Sequence, residues 1–181
     1  MTDHTNPKDY PVWANEKVEI ISPSSEWIEI GIQESKQLIN LLSPLGIIEV
    51  EHIGSTSVSG LPAKPIIDLM ANLRTFDDID KIIEVLSDYD WHYVAPELDL
   101  RPWRRFFVKV KNDKRIAHLH LMCEGEERWN QQRLFRDKLK KDKNLVEQYA
   151  TLKMALSHQY KNDREAYSEA KKNFIINILN S

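Results

Sequence analysis

Residues Glu51–Leu73, EHIGSTSVSGLPAKPIIDLMANL, decide the fold. The stretch opens on strand formers, continuous with Ile47 and Ile48 before them, and Gly54 stops the run. It closes on PIIDLMANL, an apolar run that is continuous rather than alternating, as in a strand covered on both faces. The segment between holds Gly54-Ser55, the hydroxyls of Thr56 and Ser57, and two prolines, Pro62 and Pro65, that stiffen the approach to the second strand. A single carboxylate, Asp68, interrupts that strand. A carboxylate there costs free energy unless it is paired, hydrogen-bonded or metal-bound. The stretch therefore reads either as a turn and an ordinary strand with Asp68 alternating out to solvent, or as a phosphate cradle facing a metal-binding acid.

The flanking sequence predicts the rest of the architecture. Residues 1–15 are polar, carry Pro7 and Pro11, and read as a tail. KVEIIS (17–22) alternates like a short strand. Ser22 before Pro23 reads as a cap for a helix over 24–42, with Trp27, Ile30, Leu38, Leu41 and Leu42 on its apolar side. Thr75 caps a second helix over 75–90, with acids in its first turn and Ile79, Ile82, Ile83 and Leu86 as its stripe. WHYVA, RRFFVKVKN and RIAHLHLMC are strands, the last two a hairpin turned by Asn112-Asp113-Lys114. From Gly125 onward the pattern is helical, over about 126–141, 143–160 and 163–179. The prediction is an α+β chain, a mixed β-sheet core with helices and a helical C-terminal third (126–181), in one domain from 16 to 181.

Composition narrows the function classes. The 181 residues suffice for one domain with a real core. A net charge of -3 argues against general nucleic-acid binding, which rests on a positive surplus, but leaves room for a small anionic ligand at a local basic patch. Cys123 is the only cysteine, so no internal disulfide framework exists, as in a reducing compartment. No signal-peptide pattern and no run of about 18 apolar residues is present. The expected location is cytoplasmic, with no membrane partner.

Several residues carry chemistry in one reading and ordinary structure in another. Gly54-Ser55, with Thr56, aims donors at an anion or simply turns the chain. Lys64 reaches a phosphate oxygen or is a solvated loop lysine. His118 and His120, two apart on a strand, send both imidazoles to one face, which suits metal ligands once a third group such as Asp68 joins them; the other reading packs them against a helix. Arg101, Arg104, Arg105, Lys109, Lys111, Lys114 and Arg115 against one acid, Asp113, form a local positive field or a solvated hairpin face. Tyr149 and Lys153, four apart, and Arg133 with Arg136, three apart, are neighbours on their helices and would clamp a nucleotide, or serve as surface charge. Cys123 beside His120 reads as a buried structural thiol.

HIGSTSVSGLPAKPIIDLM, HLHL, RLFRDKLK and YATLKMAL, in that order, resemble the GrpB family over about residues 15–178. That family is similar to the nucleotidyltransferase superfamily. The resemblance implies a nucleotidyltransferase-like sheet, a Gly-Ser that holds the triphosphate, and an Asp-x-(Asp or Glu) strand whose acids hold two divalent ions. Gly54, Ser55 and Asp68 match. The second acid falls on Met70, a poor ligand for a hard cation, and the third is replaced by His118 and His120. The resemblance thus implies a nucleotide or phosphorylated metabolite as partner, held by Gly54, Ser55, Thr56, Lys64, Arg105, Tyr149 and Lys153. It implies a divalent metal, Mg²⁺ or Mn²⁺ before Zn²⁺, on Asp68, His118 and His120. Three functions follow from it: nucleotidyl transfer to a small acceptor with Asp68 as the catalytic acid, metabolite binding without turnover, or metal-dependent phosphoester hydrolysis.

Overall fold

The structure, a computed structural model, describes residues 10–181. Its centre is strand β2 (Ile67–Leu73). The preceding strand β1 (Val50–Ile53) runs antiparallel to β2, with Ile53 opposite Asp68. On its other side β2 runs parallel to β5 (Lys114–Cys123), with Asp68 opposite His118 and Met70 opposite His120. Antiparallel β4 (Arg104–Lys111) and β3 (Trp91–Val94) complete a five-stranded mixed sheet of order β1-β2-β5-β4-β3. The hairpin between β4 and β5 turns on Asn112 and Asp113, both in the left-handed region, the geometry of a two-residue type I′ turn.

Side-chain alternation gives the sheet two unlike faces. Ile67, Leu69, Ala71, Leu73, Leu119, Leu121 and Phe107 point to one face. There they pack against Leu38 and Leu42 of α1 (Glu26–Leu42) and Ile82 and Leu86 of α2 (Ile79–Ser87). Full burial of each such side chain stabilises the fold by about 1.5–3 kcal/mol. The opposite face carries Asp68, Met70, His118, His120, Phe106 and Arg104. A short helix α3 (Pro96–Asp99), which the sequence pattern did not predict, lies between β3 and β4.

The C-terminal third forms α4 (Glu127–Lys141), α5 (Lys143–Gln159), α6 (Arg164–Ala170) and α7 (Lys172–Asn180). Asp142 caps α5 by accepting from the N–H groups of Asn144 and Leu145, and Asp163 caps α6 from Ala166. The helix expected over 163–179 is broken at Lys171 because its two halves serve different cores. Tyr167 packs with Val18 and Leu156, whereas Ile178 packs with Phe135, Leu139 and Tyr149. Val58 and Leu61, from the β1–β2 link, are buried in that second cluster and fasten the helices to the sheet end.

Two further expectations differ. KVEIIS makes only an isolated bridge, Ile21 with Ala63, since Pro62 and Pro65 flank the partner and offer no N–H to a longer ladder. Of the tail expected over 1–15, residues 1–9 lie outside the described residues. Val12–Asn15 is a 3-10 turn held on the sheet, where Arg115 donates to the carbonyls of Trp13 (2.9 Å) and Ala14 (3.2 Å).

Candidate functional site

The parallel pairing of β2 with β5 sets Asp68 directly beside His118. His118 Nδ1 lies 2.9 Å from Asp68 Oδ1, and His120 Nε2 lies 3.6 Å from the same oxygen. Burial works against the Asp68 charge, but the hydrogen bonds from His118 and His120 outweigh it and hold the carboxyl well below its usual range. Burial pushes His118 down to about 4 against the pull of Asp68, and lowers His120 with help from Arg104. Near neutral pH, then, an ionised carboxylate sits between two neutral imidazoles.

Neutral imidazoles have one donor nitrogen each, and the neighbours assign it. Asp68 can only accept, so His118 carries its proton on Nδ1; its Nε2 is buried without a partner. Arg104, a permanent donor, touches His120 Nδ1, so His120 carries its proton on Nε2, toward Asp68. Arg104 is itself fixed: Nε donates to Asp99 Oδ2 at 2.8 Å, Nη2 to Asp99 Oδ1 at 2.5 Å, and the guanidinium lies 3.9 Å from the centre of the Phe106 ring.

Gly54 ends β1 on the other side of Asp68. Its φ is +70°, and a Cβ there would stand 2.8 Å from Asp68 Oδ2, so glycine is required for both conformation and clearance. Ser55 follows, and its Oγ accepts a 2.8 Å hydrogen bond from Lys153 Nζ, which also donates to the Pro62 carbonyl. Lys153 is only 1% exposed; burial, then the nearby Lys171, push it down to about 7. Thr56 is a structural tie: its hydroxyl donates to the Ile66 carbonyl at 3.1 Å and takes the Nε2 proton of His52 at 3.0 Å. Burial pushes His52 down to about 4.

The remaining sequence candidates divide. Lys64 is half-buried, 5.4 Å from the Tyr167 ring centre; burial and the charges of Arg164 and Lys171 push it down to about 7. Tyr149 is a core residue, stacked on Phe174 and edge-on to Phe135; its ring supports Lys153 Nζ from 4.9 Å. Arg105 is not brought to the site. Alternation along β4 turns it to the face opposite Asp68, where it lies 4.0 Å from the Phe76 ring centre, and Arg104 takes the inward position. The basic run over 101–115 is dispersed in the same way: Lys109 donates to Glu34 at 2.8 Å, and Arg101 pairs with Glu165. Arg133 and Arg136 brace α4 on β1 through Glu51. Met70 is fully buried with Ile53, Met122 and Trp129, so the position of a second acid is dry.

Asp68 Oδ1, His118 Nδ1 and His120 Nε2 lie within 4.8 Å of one another, a spacing that fits a cation. Two imidazoles and one carboxylate suit Mn²⁺ or Zn²⁺ better than Mg²⁺. Arg104 must release His120 Nδ1 before His120 Nε2 is free to serve. Sequence reasoning counted Arg104 only within the basic run and missed Asp99, Arg164 and Lys171, none of which carries a local motif. The parity of Arg104 with Phe106 on β4 is the one available signal for the first.

Comparison with known proteins agrees with this architecture. The GrpB protein family profile matches residues 17–181. The UPF0157 protein YqkA of Bacillus subtilis is 31% identical over 166 residues, covering 92% of this chain; the chain spans 47% of YqkA, about half its length. Glutamate-rich protein GrpB of Alkalihalophilus pseudofirmus is 27% identical, over 91% of this chain and 95% of its own. The crystal structure of conserved protein GrpB from Enterococcus faecalis superposes with a TM-score of 0.79 at 26% identity, covering 90% of this chain and 95% of that one. No helix among the described residues is long and apolar enough to cross a membrane. With 165 consecutive residues matched and the sheet and helices superposed, this chain belongs to the GrpB protein family.

Proposed function

We propose that the chain binds a nucleotide or another phosphorylated metabolite at the end of β1, β2 and β5. The observation that supports this most is the junction at Asp68: one half-buried carboxylate with two imidazoles on one side and the Gly54-Ser55 turn, carrying Lys153, on the other. The resemblance to nucleotidyltransferases gives the nucleotide class. Lys153 supplies charge at the turn, and the Ser55 hydroxyl, already oriented by Lys153, supplies a donor. Without a cation, Asp68 holds the imidazoles in place and His118 Nε2 is an acceptor; with one on Nδ1, the His118 proton moves to Nε2. Asp68, His118 and His120 would hold a divalent cation, which when bound polarises a phosphoryl oxygen.

A second reading, binding without turnover, is favoured by Met70. Two-ion chemistry needs a second acid where this chain places a side chain sealed under Trp129. A thermal-shift screen of nucleotides and phosphorylated metabolites, each with EDTA, Mg²⁺, Mn²⁺ or Zn²⁺, tests both. A ligand at 100 times its dissociation constant adds about 2.7 kcal/mol to the folded state. Stabilisation by a nucleotide or phosphorylated metabolite, lost in Asp68→Asn, is expected; no response to either class under any metal condition refutes the proposal. Product analysis then separates transfer, which releases pyrophosphate, from simple binding.

A further inference from the structure

Lys64 and Lys171 meet over the ring of Tyr167, and the charge of Arg164 acts on both. Lys64 comes from the loop before β2, Arg164 and Tyr167 from α6, and Lys171 from the α6–α7 junction. The ammonium nitrogens of Lys64 and Lys171 lie 5.4 and 4.3 Å from the Tyr167 ring centre. Arg164 Nη2 stands 3.5 Å from Glu16 Oε2, while its Nε and Nη1 are buried without a hydrogen-bond partner. A guanidinium cannot shed its charge, and no protein group among the described residues takes those two donors, so both are available to an acceptor. Asp68 faces the cluster from β2, and Glu16 already accepts from the Arg115 backbone at 3.0 Å. The cations thus outnumber the carboxylates that face them. The Gly54-Ser55 turn is close by: Lys153, which donates to Ser55, also donates to the carbonyl of Pro62, two residues before Lys64.

We propose that Lys64, Arg164 and Lys171 form a phosphoryl subsite beyond the Gly54-Ser55 turn, so that the ligand carries at least two linked phosphoryl groups. The inference rests on the phosphorylated-ligand reading above and narrows it. Three cations and two orphaned guanidinium donors exceed what one carboxylate or one phosphodiester can satisfy. A terminal phosphoryl group brings close to two negative charges and three acceptor oxygens, which match them. Burial, with the neighbouring cations adding to it, pushes Lys64 down to about 7, and burial pushes Lys171 down to about 8, so an anion brought among them would draw both back to the charged form.

Calorimetric titration with inorganic phosphate and with pyrophosphate, in EDTA, tests the subsite, beside the nucleotide screen. Pyrophosphate is expected to bind at least tenfold more tightly than phosphate. The double variant Arg164→Gln with Lys171→Gln is expected to lose at least tenfold in pyrophosphate affinity while keeping its cooperative melt. Should that variant unfold, Lys64→Gln, from the opposite side of the cluster, replaces it with the same expected loss. Pyrophosphate affinity unchanged in these variants but lost in Lys153→Met overturns the subsite and leaves the phosphorylated-ligand reading standing. Nucleotide binding with no response to pyrophosphate overturns it as well. Silence from pyrophosphate, nucleotides and phosphorylated metabolites alike removes the two together.

Discussion

Raising the pH from 7 to 9 should stabilise this protein, and Lys153→Met should remove a defined share of the gain. Lys153 has a pKa of about 7 when folded, against 10.5 for an ordinary lysine, because it is buried between α5 and the β1–β2 link and feels Lys171. Between those values the unfolded chain holds a proton that the folded chain lacks, so stability rises with pH. For one group with these two pKa values, linkage gives about 2 kcal/mol between pH 7 and pH 9. Lys64 and Lys171 act in the same direction. Methionine fills similar space and cannot titrate, so the variant should show the remaining slope without the Lys153 share. Urea unfolding at pH 7, 8 and 9, in EDTA and without phosphate, measures the difference. Parallel stability curves for the two proteins would show that Lys153 keeps its charge when folded, and the account of its burial would be wrong.

Other outcomes follow from the same geometry. Gly54→Ala forces a Cβ to 2.8 Å from Asp68 Oδ2 at a φ of +70°; the backbone alone should cost about 1–3 kcal/mol, read by urea unfolding, and a loss under about 0.5 kcal/mol would contradict the described turn. Thr56→Val leaves the His52 Nε2–H and the Ile66 carbonyl unpaired and should destabilise by on the order of 2 kcal/mol, whereas Thr56→Ser should restore most of it. His52 and His118, pushed from 6.5 down to about 4, let the unfolded chain take up protons first on acidification. Stability should therefore fall by about 2 kcal/mol for each between pH 7 and pH 5, and a flat profile in EDTA would refute it.

Much of the fold was legible because its signals are local. A glycine stops β1, a continuous apolar run makes β2, and Asn112-Asp113 turns the hairpin; each depends on neighbours in sequence. Pairing is not local. Nothing in residues 67–73 states that β2 runs parallel to β5, yet that choice alone puts Asp68 beside His118. The basic run over 101–115 misleads for the same reason. Its charges are contiguous in sequence, but strand alternation sends Arg104 to Asp99 and His120, and Arg105 to Phe76 on the other face. Arg164 and Lys171 carry no motif, and nothing local in the sequence brings them to Lys64. Met70 is the reverse case, where the identity of one residue already stated that an acid was missing, and its burial under Trp129 gives the physical counterpart.

The link between β1 and β2 has a consequence for how the chain can be divided. Val58 and Leu61 belong to the core of α4, α5 and α7, and Ser55 is held by a lysine of α5. Cutting after the sheet, near Gly125, would not yield a smaller working module. It would strip the cover from the two apolar residues of the link and free the Gly54-Ser55 turn from its anchor 98 residues away in sequence. Sheet and helices are thus two halves of one clasp, and a ligand gripping the turn would resist the opening of both.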